Sequence, residues 1–434
     1  MRYIKYLFII MVLVFSYSSK SYHTRKQIPP YYQLEIQGLN NRVSNELSNF
    51  SSSPYIERQI ERFMRQWGLE GVSVAVVKDD KLVYAKGLGI ANDRNEPVTP
   101  GNLFRVASVS KLLTAVAVMK LVEEQKLSLD DRVFGPDAII KDSVFNNVRD
   151  KNIYKITVRQ LLAHSGGWSQ RYGDPAFNSL AIAQKVGDKA PTTIQSYYKY
   201  IANRRLSFPP GSQTSYSNMG YMFLGEVIAS VSGKSYESYI QDNILIPNGI
   251  VDMHLGNSYQ KNRRENEVCY FETEGSSLVP EYNGSEKMVR KSDGGNPIEL
   301  LGAAGGWICS SIELARLLTY IDGKTGVQDI LSSSSILEMT DNTYAKGPLG
   351  WKTTSNYGSW IRTGSMAGTS AMIKRTEDGL TWVFISNTSS WKGSLLANDI
   401  NSLMHKICSR VKDWPEQDLF NYYPIQNLQV IAAN

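Results

Sequence analysis

The stretch Leu112–Met119 is apolar nearly all the way round a helix, and it constrains the fold of this chain more than any other feature. A helix without a polar face must lie inside a protein. The residues directly before it are Ser108-Val109-Ser110-Lys111, so a hydroxyl and an amine stand at the mouth of a buried helix. Such polar groups must face a cleft or find partners inside the protein.

Ser108 and Lys111 are three residues apart, which puts their side chains on one helix face. A Ser–Lys pair can activate a hydroxyl for acyl transfer, and the positive end of the helix favours a neutral amine there. The spacing alone is weak evidence, because Ser409 and Lys412 repeat it. The plain alternative is a serine N-cap followed by a solvated lysine. The pair therefore needs support from other motifs.

Composition excludes several classes of function. A formal charge of +6 over 434 residues is mild, and no Lys/Arg cluster resembles a nucleic-acid footprint, so we predict no nucleic-acid partner. Cys269, Cys309 and Cys408 are too widely spaced for a disulfide framework, although a single bridge stays open. The four histidines show no metal-ligand spacing, and we predict neither a metal nor a cofactor.

The N-terminus has the pattern of a secretory signal over residues 1–19. Arg2 and Lys5 precede the apolar run Leu7–Phe15, and small residues follow. The run is too short to span a bilayer comfortably, so we expect cleavage, no stable membrane span afterwards, and a periplasmic or extracellular protein. An uncleaved anchor is the alternative. Residues 20–53 read as a polar leader and 413–434 as a tail without a clear signal.

The order of predicted elements favours an α+β fold with one antiparallel sheet built from both ends of the domain, residues 54–412. Helices flank the sheet, and an all-helical insertion separates its halves. The α/β part would span about 54–107 and 298–412, and the helical part about 108–297, with residues 262–297 as a long loop or insertion. The predicted strands are Gly71–Val77, Lys81–Gly87, Ser359–Ile361, Thr369–Arg375 and Gly379–Asn387; the predicted helices include Tyr55–Trp67, Val158–His164, Thr193–Asn203, Asn218–Ser230, Ile312–Ile321 and Asn398–Val411.

Two further motifs can carry chemistry. In Tyr216-Ser217-Asn218, the phenol can relay a proton and the amide can orient both Lys111 and a substrate carbonyl. The alternative is a core tyrosine with a capping asparagine. Arg362-Thr363-Gly364-Ser365 follows a short predicted strand, where glycine allows close approach of a substrate and the guanidinium can clasp a carboxylate. An ordinary turn is the alternative there.

In this order, the three motifs resemble those of the serine β-lactamase and penicillin-binding protein superfamily, most closely its class C β-lactamase branch. That branch carries Ser-x-x-Lys, then Tyr-x-Asn, then a Lys- or His-x-Gly motif. Further blocks resemble the family: Leu161–Trp168, Pro210–Tyr221, Ala304–Trp307 and Gly364–Thr369. The resemblance runs roughly from Ile56 to Cys408 and agrees with the predicted order of strands and helices.

The resemblance implies a β-lactamase/transpeptidase-like fold and a role for each motif residue. Ser108 would be the acyl-accepting nucleophile and Lys111 its activating partner. Tyr216 would share the base role and protonate the leaving group, and Asn218 would position the substrate amide. The backbone N–H groups of Ser108 and Ser365 would form the oxyanion hole. The other implied substrate-binding residues are Arg362, Thr363 and Gly364.

The chain departs from the family at Arg362, where the family has Lys or His. Arginine stays protonated and cannot act as a base, but it can hold a carboxylate in two bonds. We therefore expect a small-molecule or peptide substrate that carries a carboxylate, and hydrolysis of β-lactams themselves stays open.

The sequence thus predicts a secreted serine hydrolase that cleaves an amide, lactam or ester through an acyl-enzyme at Ser108. A β-lactamase, DD-peptidase, D-aminopeptidase or esterase would fit. The alternative is a non-catalytic protein of the same fold that binds peptidoglycan or a peptide. A binding module would not need Ser108, Lys111, Tyr216 and Asn218 together, which favours the enzyme. No Gly-x-Ser-x-Gly motif supports an α/β-hydrolase.

Overall fold

An antiparallel sheet of six strands forms the centre of the molecule, with the strand order β2-β1-β11-β10-β9-β8. The structure is a computed structural model and describes residues 38–171, 173–342 and 347–422. The strands in these residues are β1 (Gly71–Lys78), β2 (Lys81–Gly89), β3 (Phe104–Arg105), β4 (His254–Leu255), β5 (Val279–Pro280), β6 (Met288–Val289), β7 (Trp307–Cys309), β8 (Thr353–Thr354), β9 (Trp360–Met366), β10 (Thr369–Arg375) and β11 (Thr381–Ser386).

Strand β1 pairs with β11, so the sheet joins the two ends of the domain, with Val74 opposite Phe384. This pairing confirms the α+β fold expected from the order of the elements. The short strands form two smaller sheets, β3-β7-β4 and β5-β6. The predicted signal peptide, the first part of the leader and the last residues of the tail lie outside the described residues.

Helices lie on both faces of the sheet. Among the described residues, the chain between β3 and β7 contains seven of the α-helices, together with loops and the short strands β4, β5 and β6. The α-helices in the described residues are α1 (Ser53–Trp67), α2 (Ser110–Glu123), α3 (Val158–Leu162), α4 (Ser179–Val186), α5 (Ile194–Ala202), α6 (Asn218–Ser232), α7 (Tyr236–Ile240), α8 (Ile298–Gly305), α9 (Ser311–Thr319), α10 (Ser333–Thr340) and α11 (Leu396–Arg410). Of these, α2 begins within the Ser-x-x-Lys motif and contains its lysine, and the helix residues from Ser110 to Met119 are all buried.

The sheet is buried on both faces, and the alternation of side chains along β1 shows how. Val72, Val74 and Val76 pack with α1 and α11 in one apolar core. Ala75 and Val77 point the other way, into a larger core that contains α2. Because successive side chains of a strand alternate between faces, one strand supplies both cores. The largely apolar sequence of β1 is therefore typical of a central strand.

Side chains from both ends of the described chain cover β2, the first strand of the sheet. Ser48 Oγ accepts a hydrogen bond from Ala85 N at 2.8 Å and donates one to Ala85 O at 2.7 Å. Asn45 Oδ1 accepts from Gly87 N at 2.8 Å. From the opposite end of the chain, Asp418 Oδ1 accepts from another β2 amide, at 3.0 Å. The open edge of β2 is thus occupied by side chains instead of another strand.

Packed residues extend beyond 54–412 on both sides. Leu39 and Val43 lie in the larger core, together with Leu419 and Phe420 from the segment after α11. Trp414 belongs to the smaller core. The parts of the predicted leader and tail that the structure describes therefore contribute to the packing of the domain.

The segment 262–297 was predicted as a long loop or insertion. It contains the hairpin β5–β6 and is otherwise mostly irregular. Arg105 ties it to the domain: its guanidinium lies 4.1 Å from the centre of the Tyr270 ring, and it donates hydrogen bonds to the carbonyl oxygens of Asn257 and Ser292. The segment therefore packs against the domain as a bound loop.

The three cysteines, Cys269, Cys309 and Cys408, are buried and form no disulfide. Over the described ranges, no helix has the length and apolar character needed to cross a bilayer.

Candidate active site

The Ser108 side chain lies in the wall of a cavity of about 570 Å³ between the sheet and the helical part. It belongs to a single helical turn, Ala107–Val109, that leads directly into α2. Ala107 has a φ of 48°, in the left-handed region that residues with a Cβ rarely adopt. This unusual turn orients the half-buried Ser108 hydroxyl towards the cavity instead of along the helix.

Lys111 lies one turn further along, fully buried, and its amine contacts three oxygens. It lies 3.2 Å from Ser108 Oγ and 2.6 Å from Asn218 Oδ1, and it also donates to the carbonyl oxygen of Ala304. The structure therefore brings together the first two predicted motifs. The Ala304 carbonyl is a partner that the sequence analysis did not identify as part of the site.

These contacts determine the direction of the lysine lone pair when the amine is neutral. The Ala304 carbonyl can only accept. The Asn218 amide is oriented with its oxygen towards Lys111, because its Nδ2 donates to Asp174. A neutral amine has two N–H donors, and both are taken by these two acceptors. Its lone pair then faces Ser108 Oγ, as a general base requires.

The electrostatics of the cavity favour such a neutral amine. Burial lowers the pKa of Lys111 to about 8, and the positive charge of Arg362 acts in the same direction against the opposing influence of Tyr216 and Asp174. With this pKa the amine is still mostly protonated at neutral pH, so the expected uncharged form dominates only above about pH 8.

Tyr216 completes the contact around the nucleophile. Its surface is 36% exposed, towards the cavity, but its hydroxyl lies 2.6 Å from Ser108 Oγ and 3.3 Å from Nη2 of Arg362. Burial by itself would raise the pKa of this phenol, yet the charges of Lys111 and Arg362 outweigh it and lower the pKa to about 8. Lys111 and Tyr216 thus titrate as a coupled pair that can share one proton.

Arg362 is buried, with 2% of its surface exposed, and its guanidinium turns towards the nucleophile. Its Nε donates to the carbonyl oxygen of Ser108 at 2.7 Å, and its Nη2 reaches the Tyr216 hydroxyl. The predicted fork for a substrate carboxylate is therefore largely committed to groups of the protein. The prediction that Arg362 binds a substrate carboxylate is therefore not tested, and its contacts with Ser108 and Tyr216 argue against it.

The third motif lies within β9, not after a strand that ends at Ile361, and this corrects the predicted boundary. β9 runs through the motif to Met366 and stays paired with β10. Gly364 permits this geometry: a Cβ there would lie 2.1 Å from the carbonyl oxygen of Val106 and 3.0 Å from the backbone nitrogen of Ser108. The Gly-Ser pair is therefore not part of a turn. The glycine is there because the strand passes close to the backbone of Ser108.

Thr363 and Ser365 flank this glycine and line the cavity opposite Ser108. Both are partly exposed, whereas Arg362, Gly364 and Met366 are buried. All residues of the predicted site except Lys111 line one cavity, and the buried Lys111 contacts two of them, Ser108 and Asn218. The oxyanion hole formed by the N–H groups of Ser108 and Ser365 stays a prediction.

His164 also belongs to the site, although its sequence block suggested only a family likeness. The centre of its ring lies 4.5 Å from that of Tyr216 and 5.0 Å from that of Tyr221. Its Nδ1 accepts a hydrogen bond from Ser217 N at 3.2 Å. Burial and the charges of Arg362 and Lys111 hold the pKa of His164 well below its usual value. A neutral imidazole therefore packs against the Tyr216 ring.

Asp174 is the other residue that the sequence analysis did not identify. It lines the cavity and accepts from Asn218 Nδ2, and also from Gln170 Nε2 at 2.7 Å. A lone aspartate in a loop, 44 positions before Asn218, gives no sequence signal of its role. In residues 38–171, 173–342 and 347–422, no three His, Cys, Asp or Glu side chains come together in a way that could hold a metal ion.

Comparisons with known proteins identify relatives of this chain. A putative D-alanyl-D-alanine carboxypeptidase from Escherichia coli O157:H7 is 32% identical over 206 residues, which are 44% of this chain and 45% of that protein. Protein flp of Staphylococcus aureus (strain N315) is 27% identical over 236 residues, 54% of this chain and 44% of that protein. The matched region thus spans less than half the length of these curated relatives.

Solved structures share the fold over most of the chain. A penicillin-binding protein homologue from Pyrococcus abyssi, described as octameric, has a TM-score of 0.60 at 25% identity, covering 81% of this chain and 77% of that one. A D-amino acid amidase from Ochrobactrum anthropi SV3 has a TM-score of 0.63 at 20% identity, covering 83% and 99%; at that identity the likeness shows the fold alone. The Beta-lactamase family model matches residues 56–403. This match confirms the resemblance inferred from the motifs, and the chain belongs to the beta-lactamase family.

Proposed function

We propose that this protein is a serine hydrolase that cleaves an amide, lactam or ester through an acyl-enzyme at Ser108. The observation that carries the proposal is the position of Ser108 Oγ, which lies 2.6 Å from the Tyr216 hydroxyl and 3.2 Å from the Lys111 amine. A hydroxyl in contact with two groups of lowered pKa has the activation that a serine nucleophile requires.

In the acylation step, Ser108 Oγ attacks the substrate carbonyl carbon and forms a C–O bond. Its proton passes to the Lys111–Tyr216 pair, whose members share a pKa of about 8. The oxygen of the tetrahedral intermediate would be held by backbone N–H groups of Ser108 and Ser365. The bond to the leaving group then breaks, and Tyr216 returns the proton to the departing nitrogen or oxygen.

In the second step, water attacks the acyl-enzyme carbonyl and loses its proton to the same pair. The C–O bond to Ser108 breaks, and the hydroxyl regains its proton. Asn218 supports both steps, because it fixes the direction of the Lys111 lone pair and presents its amide at the cavity wall. The name of the carboxypeptidase relative supports the proposed reaction class for this chain.

A fluorophosphonate probe tests the proposal directly. It should label Ser108, and Ser108→Ala should abolish labelling and lower turnover by roughly 10³-fold or more. Ser409→Ala is the matched control, because Ser409 also stands three residues before a lysine but does not line the cavity. Labelling that survives in Ser108→Ala would refute the site. Absence of labelling in the unmodified protein would favour the non-catalytic binding protein.

Lys352 is the cation best placed to meet a substrate carboxylate, because it is exposed and lines the cavity, whereas Arg362 is engaged with Ser108 and Tyr216. We therefore propose that the substrate has an anionic terminus and that Lys352, not Arg362, binds it. Lys352→Gln should raise the KM for a substrate with a free carboxylate more than it raises the KM for the corresponding amide. Equal effects on both substrates would contradict this part.

We also propose that the protein is secreted with loss of its first residues, to about Ser19. The basic, apolar and small-residue succession in residues 1–19 supports this. N-terminal sequencing of the exported protein should find a mature start near residue 20. An intact Met1 on the exported protein would instead indicate the uncleaved anchor.

A further inference from the structure

Asp174 is the only acidic residue among the described residues that line the cavity. It lies in a loop of the helical part, where it orients Asn218, and it neither gives nor takes a proton in the proposed mechanism. An acidic side chain at the wall of a site that must also stabilise an oxyanion is unfavourable unless it serves another purpose. Its neighbours indicate which purpose.

The hydrogen bonds of Asp174 leave one acceptor position open. Its Oδ2 accepts from Asn218 Nδ2 and from Gln170 Nε2, and its Oδ1 accepts from Ala176 N at 3.0 Å. A carboxylate offers about four lone-pair sites. These three donors fix both oxygens in place, and Oδ1 retains one site for a further donor in a residue that is only half-buried.

Asn218 places this carboxylate relative to the reacting carbon. Its oxygen faces Lys111 beside Ser108, and its nitrogen faces Asp174. The Asn218 side-chain amide therefore bridges Lys111 and Asp174, and both Asn218 and Asp174 line the cavity. A substituent next to the scissile carbonyl carbon that extends along Asn218 would meet the carboxylate.

The charges of the site determine what such a substituent can be. Arg362 and, when protonated, Lys111 would repel a cationic group anywhere near Ser108. An ammonium group would be accepted only where a carboxylate offsets that repulsion, and Asp174 is where such a carboxylate lies. A carboxylate substituent there would meet like charge instead.

We propose that Asp174 binds the free ammonium group of the acyl part of the substrate, so that the site selects amino-acid amides and peptides with a free α-amine over N-acylated ones. This inference rests on the proposed function and assigns its substrate class. An Asp–ammonium contact is a charge-assisted hydrogen bond, for which roughly 10- to 100-fold selectivity is typical.

The test compares alanine p-nitroanilide, in each enantiomer, with its N-acetyl derivative. The unmodified protein should have the higher kcat/KM for the free amine. Asp174→Asn should remove roughly 10- to 100-fold of that preference by slowing cleavage of the free amine, with a smaller effect on the N-acetyl compound. Asp188→Asn is the matched control: it removes an acid of the same helical part that binds Lys199 and does not line the cavity, and the preference should stay.

Three results would overturn the proposal. The first is an unmodified protein that does not prefer the free amine, which includes failure to cleave it. The second is an equal loss on both substrates in Asp174→Asn, because Asp174 would then act only by holding Asn218. The third is an unchanged preference in that variant. Fluorophosphonate labelling of Ser108, measured in parallel with thermal unfolding, distinguishes these results from failure of the proposed function or of folding.

Discussion

At the scale of single residues, the proposed mechanism depends on the contacts of Lys111 and Tyr216 with Ser108. The sequence predicted that Lys111 is a partner of Ser108, because residues three apart on a helix are neighbours. The inward turn of Arg362 was not predictable, because it depends on how close β9 comes to the turn of Ser108. Asp174 was not predictable either, since a loop residue shows its partners only in the folded chain.

The coupled pair predicts a pH dependence. Because the pair must lose a proton before it can accept the one from Ser108, kcat/KM should rise with pH and level off above an apparent pKa near 8. The measurement is kcat/KM of the unmodified protein from about pH 5 to about pH 10, a range that brackets the expected pKa. The substrate should have no group that titrates in that range. An activity that is flat through this range would contradict a base with that pKa.

Arg362 should set where that rise occurs. Its positive charge lowers the pKa of both Lys111 and Tyr216, so Arg362→Met should move the rise in kcat/KM to higher pH. Lys352→Met is the control: it removes an exposed cation from the same cavity, where solvent screens its charge, and it should move the profile much less. Equal shifts in the two variants would show that general cavity charge, not the Arg362 contacts, tunes the pair.

At the scale of elements, β9 carries the predicted substrate-binding residues, and its close contact with the turn of Ser108 fixes their position. The sequence predicted strands in this region, but it ended the first of them at Ile361. In the structure, buried and partly exposed residues alternate along β9 as far as Met366. Gly364 in the middle of the strand makes this pattern hard to recognise from the sequence. Periodicity cannot reveal that a neighbouring backbone lies where the missing Cβ would be.

Gly364→Ala should separate these two elements. The added Cβ would lie 2.1 Å from the Val106 carbonyl oxygen, so the strand must move away from Ser108. We expect a stability loss of about 1–3 kcal/mol and a fall in kcat/KM of roughly 100-fold from misplacement of the site. Urea unfolding and steady-state kinetics measure the two effects.

Gly220→Ala provides the control for that change. In α6, a Cβ at Gly220 would have its nearest neighbour at 3.5 Å, an ordinary contact. Helix propensity favours alanine there by about 0.5–1 kcal/mol. Stability should therefore stay the same or rise, and activity should persist. A Gly364→Ala variant that behaved like Gly220→Ala would show that β9 has room to spare beside Ser108.

At the scale of the whole molecule, two apolar cores on opposite faces of one sheet hold both ends of the domain together. The sequence predicted most of the sheet, because runs rich in β-branched and aromatic residues, bounded by turn residues, occur at both ends of the domain. It gave no sign that residues after α11 return to the larger core, since an isolated Leu419-Phe420 pair has no periodicity. Only the tertiary packing identifies them.

Leu419→Ala should therefore destabilise the domain by about 2–5 kcal/mol, as buried leucines typically do. Leu419 is 1% exposed in the larger core, whereas Leu395 is 65% exposed, so Leu395→Ala should change stability by no more than about 0.5 kcal/mol. The midpoints of urea unfolding at unchanged slope give both values. Equal midpoints for the two variants would show that the segment after α11 does not contribute to the core.

The covering of β2 affects how the molecule behaves among its own copies. Strand edges with free amides are templates on which another chain can add a strand and start aggregation. Here Ser48, Asn45 and Asp418 already occupy amides along that edge. A proteolytic cut that released either covering segment would free those amides, so the trimmed protein would be prone to form insoluble assemblies even where its remaining core stayed intact.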